Sequence, residues 1–369
     1  MLRCAGLFST KEKSDLQYVF DVASLFSGAG GMDTGFENAG IDVVLANEIV
    51  KEAAETYRAN RQKNVMVNDD IRNVMNMLDG FRGVDLVFGG PPCQGFSVAG
   101  KMNPDDERSK MIFTFLDAVE KIQPEAFVME NVKALECFDK WADVRRQYLN
   151  RVQKLGYNCV PIVLNARDFG VSQKRERVFF IGFRNNKDPF LEYHLKDLLE
   201  EQKSRPPVIR ELLKSLGPAG TEKNPNTCKA KITFATNPVL RKSPYAGMYF
   251  NGQGRPIDVD GYANTLPASM GGNKTPFIDE EYLYGCAEED WVVKYHRELM
   301  AGKTTPTERE APSRLRRLTI REAARIQTFP DNYIFCGTKG HIYTQIGNAV
   351  PCRLAESVAK SVLNYLRKK

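Results

Sequence analysis

The stretch GGPPCQGFSVAG, residues 89–100, sets one cysteine behind two prolines and ahead of a polar, glycine-containing run. Pro91 and Pro92 restrict the backbone that leads to Cys93, whereas GFSVAGKMNPDDERSK beyond it has the composition of a closing lid. A thiol is only slightly ionised at neutral pH yet is intrinsically nucleophilic. A lone cysteine is more often a small, inert core residue, so its neighbours have to decide. Glu130 ends the apolar run EAFVMEN, where desolvation raises a carboxyl's pKa and makes it a proton donor. Arg175 and Arg177 in SQKRERVFFIGF are spaced two apart and fall on one side of an extended chain. Guanidinium groups there bond carbonyl oxygens and lock carboxylates; as a bare charge run they would be a solvated edge.

A second group of residues has the pattern of a nucleoside site. Gly28, Gly30 and Gly31 follow the apolar run YVFDVASLF, where glycines let a ligand approach the backbone and a following helix offers free N–H donors. Glu48, in VVLANEI, follows Gly28 at the roughly 20-residue offset at which an acid accepts hydrogen bonds from ribose hydroxyls. Asp69 and Asp70 come after the next short apolar run. A dinucleotide fingerprint wants glycine where Asp33 stands and does not ask for adjacent glycines. The pattern favours a nucleoside-bearing ligand without a pyrophosphate, such as S-adenosylmethionine. A lone glycine loop is also what any tight strand-to-helix turn requires; Glu48 and Asp70 separate the two readings.

The elements that position these groups are short strands alternating with helices. YVFDVASLF, IDVVLAN, KNVMVN, VDLVFGG and EAFVMEN read as strands, with EAAETYRAN and MIFTFLDAVEKI as helices between them. DVRRQYLNRVQKLG reads as a further helix before the strand pair CVPIVLN and RVFFIGF. This rhythm predicts an α/β fold, a doubly wound, mostly parallel sheet covered on both faces. Ligands bind such sheets beyond the strands' carboxyl ends, the rim on which the glycines, Glu48, Asp70, Cys93 and Glu130 all fall. After about residue 190 the rhythm breaks into irregular pieces rich in Gly, Pro and Asn. The expected organisation is an N-terminal extension (1–18), a catalytic and cofactor-binding domain (19–190), a smaller, irregular target-recognition domain (191–330) and a segment returning to the catalytic domain (331–369).

Composition excludes several classes. The chain of 369 residues has a formal charge of +6 and a pI near 8.8, which permits a polyanionic partner without requiring one. Its eight cysteines include no CxxC pair and none with a histidine at zinc-finger spacing, so neither a metal site nor a disulfide framework is expected. No signal-peptide core and no membrane-length apolar run is visible. An intracellular setting, not a membrane, follows.

In this order, SLFSGAGG, GGPPCQGFS, MENV, QKRER, RLTIREAARIQTFP and QIGNAVP resemble the DNA cytosine-5 methyltransferases. The likeness spans about residues 21–190 and 314–360. It implies that Phe26, Gly28 and Gly30 cradle S-adenosylmethionine, with Glu48 on the ribose, Ile49 and Pro92 beside it, and Asp70 with Ile71 on the adenine edge. Asn348 and Val350 would complete that pocket. Cys93 would be the nucleophile, Glu130 and Arg175 would hold the target base, and Arg177 would brace the site. Gln94 and Ser97 would approach DNA.

The chain departs from the family pattern at three places. Ser24 stands where an acid is frequent, Ile49 where an aromatic is common, and Cys352 where a second proline is frequent. Thr265 and Leu266 resemble the family's recognition pair, and Arg314, Arg316 and Arg317 are expected among the phosphate contacts. The reading that follows is a monomeric prokaryotic modification enzyme acting on double-stranded DNA, with a restriction endonuclease as possible partner. An RNA cytosine-5 methyltransferase and a catalytically silent DNA-binding protein on the same fold are the rivals.

Overall fold

Nearly every residue of VASL, LVFG and AFVME is buried, so these strands have no solvent face and are covered on both sides. The computed structural model describes residues 20–92, 110–225, 227–307 and 309–368. Its main sheet contains β1 (Phe20–Leu25), β2 (Ile41–Asn47), β3 (Met66–Val67), β4 (Leu86–Gly89), β5 (Ala126–Val132) and β6 (Tyr157–Asn165). The two-residue β7 (Gln173–Lys174) lies outside it, and β8 (Glu176–Arg184) completes it. The order is β3-β2-β1-β4-β5-β8-β6. The first five are parallel, while β8 is antiparallel to both β5 and β6. The winding reverses between β1 and β4, where ligands of open α/β sheets bind.

Helices α1 (Gly31–Asn38), α2 (Lys51–Ala59), α3 (Ile71–Val74), α4 (Met111–Ile122), α5 (Ala134–Cys137), α6 (Ala142–Lys154) and α7 (Leu191–Glu200) belong to this layer structure. Alternate strand residues enter opposite cores, as the period of two requires. Leu86, Phe88, Ala126 and Val128 join Phe36 of α1 and Leu191, Leu195, Leu198 and Leu199 of α7. Val87, Phe127 and Met129 join α4 and α6 through Phe115, Leu116 and Tyr148. Phe36 stacks on Phe88 at 4.1 Å between ring centroids; truncating such a core aromatic to alanine costs about 3–5 kcal/mol.

The second region runs through α8 (Ile209–Lys214), β9 (Phe234–Val239), β10 (Met248–Phe250), β11 (Ala263–Asn264) and β12 (Phe277–Asp279). It continues with α9 (Glu280–Tyr284), α10 (Trp291–Met300), β13 (Leu315–Arg317), α11 (Ile320–Ile326) and α12 (Lys339–Asn348). Then α13 (Cys352–Arg367) returns to the sheet, seated where a Cβ on Gly35 of α1 would strike Cys352 O and Ala355. The leucines of α7 pack with the sheet, and the second region's core includes Tyr333, Tyr343 and Ile346, which the sequence reading placed in the returning segment.

Candidate active site

Beyond β1 the backbone takes the left-handed conformation three times within five residues, at Phe26 (φ 54°), Gly28 (φ 55°) and Gly30 (φ 81°). For Phe26 that conformation costs about 1–2 kcal/mol, so neighbours have to hold it. Ser27 N–H donates to Asn47 O at 3.0 Å. Glu48, 8% exposed, accepts from Gly28 N–H at 2.9 Å on one oxygen and from Val50 N–H at 2.7 Å on the other. Burial pushes its carboxyl above the usual range, and those N–H groups oppose the shift. Each oxygen keeps acceptor capacity for a further donor.

The two glycines of this turn differ. A Cβ on Gly28 would meet nothing within 4 Å, whereas one on Gly30 would lie 2.6 Å from Arg61 Nη1 and 3.0 Å from the Tyr333 hydroxyl. Gly28 therefore borders open space, and Gly30 makes room for side chains. Ile49 and Val50, 60% and 51% exposed, leave apolar surface uncovered beside Glu48. The C-terminal turn reaches the same loop, since Val350 O would lie 2.9 Å from a Cβ on Gly31. Asn348, also predicted there, is exposed.

Asp70 caps α3, and its carboxylate accepts from Arg72 N–H and guanidinium; that bonding holds it below the usual carboxylate range. Ile71 is 3% exposed and packs in the core, so its side chain is not on offer to a ligand. At position 24, Ser24 Oγ lies 2.9 Å from Ser27 Oγ.

Glu130 lies at the carboxyl end of β5 and is 8% exposed. Its Oε1 is 2.9 Å from Arg177 Nε, and a Cβ on Gly90 would lie 3.1 Å from its Oε2. Burial raises the Glu130 pKa; Arg177 first and Arg175 second oppose it. The next residue, Asn131, donates its side-chain amide to Pro91 O at 3.2 Å. It thereby ties β5 to the two-proline segment that ends in the half-buried Pro92. Cys93, Gln94 and Ser97 lie outside the described residues.

The two arginines, Arg175 expected at the target base and Arg177 as a brace, have different partners. Arg177 is the one paired with Glu130, while Arg175 is 1% exposed and turned to backbone. It donates to Gly347 O at 3.1 Å, Asn348 O at 3.3 Å and Leu266 O at 3.4 Å. Arg175 stands in the gap between β7 and β8, so the two-residue alternation does not carry across it.

Around this arginine the second region is joined to β7. β11 pairs in parallel with β7, and Thr265 Oγ1 donates to Lys174 O at 2.9 Å. Leu266 N–H donates to Gln173 Oε1 at 2.9 Å, and Gln173 Nε2 donates to Gln327 Oε1 at 2.8 Å. Leu266, expected at DNA, has its side chain fully buried. The three arginines expected at phosphates are engaged internally. Arg314 pairs with Asp279 at 2.7 Å, and Arg316 pairs with Glu280 and Glu322, both at 2.8 Å. Arg317, 2% exposed, donates to Thr275 O, Lys231 O and Ala230 O. A charge run in sequence is here a set of cross-links.

Asn131, Gln327, Phe329 and Tyr333 carry positioning contacts that sequence reasoning did not single out. Only the blocks MENV and QTFP signalled the first three; Tyr333 had no local signal. Among the described residues, no group of three or more His, Cys, Asp and Glu could hold a metal ion, and no helix is long and apolar enough to cross a membrane.

Residues 20–364 match the family described as C-5 cytosine-specific DNA methylase. The chain is 34% identical over 359 residues to the type II methyltransferase M.Sau96I of Staphylococcus aureus, covering 94% of this chain and 76% of that protein. It is 34% identical over 363 residues to the type II methyltransferase M.Eco47II of Escherichia coli, covering 95% and 80%. The solved structure of the S. pombe Dnmt2 methyltransferase shares the fold, with a TM-score of 0.65 at 19% identity over 95% of this chain and 99% of that one. A sheet that gathers a buried acid, its guanidinium partner and a glycine loop on one rim thus has its counterpart in a match along nearly the whole sequence, and the chain belongs to the C-5 cytosine-specific DNA methylases, enzymes of the DNA cytosine-5 methyltransferase type.

Proposed function

We propose that the protein transfers a methyl group from S-adenosylmethionine to carbon 5 of a cytosine in a specific double-stranded DNA sequence, through a temporary bond to Cys93. The observation that carries this reading is the buried Glu130–Arg177 pair, joined through Gly90 and Asn131 to the segment that leads into Cys93. Neither ring carbon is reachable in a stacked duplex, so the base is turned out of the helix.

The residues present suit the cofactor. Gly28 borders open space, Glu48 keeps acceptor capacity for ribose hydroxyls, and exposed Ile49 supplies an apolar surface for adenine. When bound, S-adenosylmethionine supplies the methyl group on a cationic sulfur that leaves as a neutral thioether. The chain's own residues make the base receptive. The Cys93 thiolate adds to carbon 6, and the displaced electron pair is drawn toward ring nitrogen 3, to which Glu130 donates a proton. Arg177 holds the carbonyl oxygen on which charge develops, and Arg175 braces the strand. Carbon 5, now enamine-like, takes the methyl group. Loss of the carbon-5 proton to a base then expels the thiolate, and return of the nitrogen-3 proton to Glu130 restores the ring and the acid.

The further reading is a monomer that modifies a short recognition sequence, with a restriction endonuclease acting on the same site. Bisulfite sequencing of a plasmid from cells expressing the gene tests it. Protection of one cytosine in one recurring word supports the proposal; an unmodified plasmid with methylated tRNA favours the RNA rival, and neither product favours the silent DNA-binding protein.

A further inference from the structure

We infer that Tyr333 and Arg61 are positioning residues for the cofactor loop, clamping its carbonyls from the side opposite the open space at Gly28. The inference rests on the proposed cofactor site.

The loop from Phe26 to Gly30 takes the left-handed conformation three times, freely at its two glycines but under strain at Phe26, and strained backbone persists only where its surroundings over-determine it. Ser27, Asn47 and Glu48 hold the first half. The second half is held by residues distant in sequence. The Tyr333 hydroxyl donates to Ala29 O at 2.5 Å, and Arg61 Nη2 donates to Gly30 O at 3.2 Å. Arg61 Nη1 also donates to the Tyr333 oxygen at 3.2 Å, so the two donors share one network. Burial pushes the Tyr333 phenol up to about 12, which keeps its proton in place for donation.

Both donors are themselves fixed. Glu37 accepts from Arg61 Nε at 2.7 Å and from Nη2 at 2.9 Å, while the guanidinium carbon sits 3.9 Å from the Tyr57 ring centroid. The Tyr333 ring packs with Phe329 and Phe335 at centroid distances of 4.8 and 5.2 Å, within the core of the second region. The cofactor loop is therefore held by the same core that carries the recognition side. Gly30 is part of the device, since any side chain there would meet both donors.

The test compares the full-length protein with Tyr333→Phe, which deletes only the hydroxyl, and Arg61→Lys, which keeps a cation but cannot reach all its acceptors at once. S-adenosylhomocysteine is titrated calorimetrically, well below each variant's melting midpoint. Loss of one buried hydrogen bond predicts a Kd raised about five- to tenfold in Tyr333→Phe, with Arg61→Lys moving in the same direction. KM for S-adenosylmethionine should rise in proportion, while kcat at saturating cofactor stays within about twofold. A role confined to stability would lower the melting midpoint and leave Kd and KM alone, and that result overturns the inference. So does a loss of kcat at unchanged KM. Should Tyr333→Phe fail to fold, Arg61→Lys carries the same comparison. Glu48→Ala separates the two claims: if it loses S-adenosylhomocysteine while both clamp variants bind as wild type, only the clamp fails, whereas tight binding by Glu48→Ala removes the cofactor site itself.

Discussion

Arg177 Nε lies 2.9 Å from Glu130 Oε1, and the antiparallel register of β8 against β5 sets Arg177 opposite Val132, two residues beyond that acid. A strand running against its neighbours thus delivers a guanidinium to the carboxyl-end rim of a parallel sheet. Arg175, two residues earlier, is spent on backbone carbonyls of the second region and the C-terminal turn.

This division predicts different defects. Arg177→Ala should lower kcat about 100-fold or more, because it removes a group placed at developing charge, and should also lower the melting temperature by leaving the buried Glu130 without its partner. Arg175→Ala should destabilise the fold by about 3 kcal/mol by leaving buried carbonyls unpaired. Thermal melts beside single-turnover methyl transfer check both; the reverse pattern would return the arginines to the places the sequence suggested.

Glu130→Gln keeps the shape of the side chain but cannot give up a proton in the same way. Methyl transfer should fall about 100- to 10,000-fold, while S-adenosylhomocysteine affinity stays within about twofold. Equal losses in both would contradict a role at the base.

Much of this arrangement is legible in the sequence because buried strands announce themselves. VDLVFGG and EAFVMEN end on the rim, so Gly90 and Glu130 fall together once the sheet is read as parallel. The antiparallel insertion of β8 left no such trace, since VFFIGF is apolar throughout and alternates nothing visible. Spacing also misled at Arg175, where a break between β7 and β8 interrupts the strand. In RLRR the partners Asp279, Glu280 and Glu322 are supplied by folding, and no charge count could find them. The second half of the loop from Phe26 to Gly30 depends on Arg61 and Tyr333, which only tertiary structure brings together.

Arg317 offers a test of that correction. Arg317→Met should lower the melting temperature, since the buried Thr275 carbonyl and two part-buried carbonyls lose their donor. The slope of log affinity for DNA against log salt should not change. A phosphate contact would instead reduce that slope by about one.

Asp33 predicts a pH dependence. It is fully buried, and burial raises its pKa from 3.8 to about 6, against the opposing Arg61 charge. The native state therefore holds a proton that the unfolded chain releases, and stability falls as pH rises from about 4 to 6. Asp33→Asn should remove that slope, leaving the protein up to about 3 kcal/mol more stable at pH 7.5 and nearly unchanged at pH 4. Denaturant melts across this range check it; a variant less stable at pH 7.5 would show that the charge on Asp33 supports the fold.

The most direct measurement uses duplex DNA carrying 5-fluorocytosine at the methylated position, incubated with the protein and S-adenosylmethionine and resolved under denaturing conditions. Fluorine at carbon 5 cannot depart as a proton does, so the wild-type protein should remain covalently joined to the DNA and Cys93→Ala should not. A Cys93→Ala protein that methylates ordinary cytosine at the wild-type rate, with no trapped complex in either protein, would contradict the account.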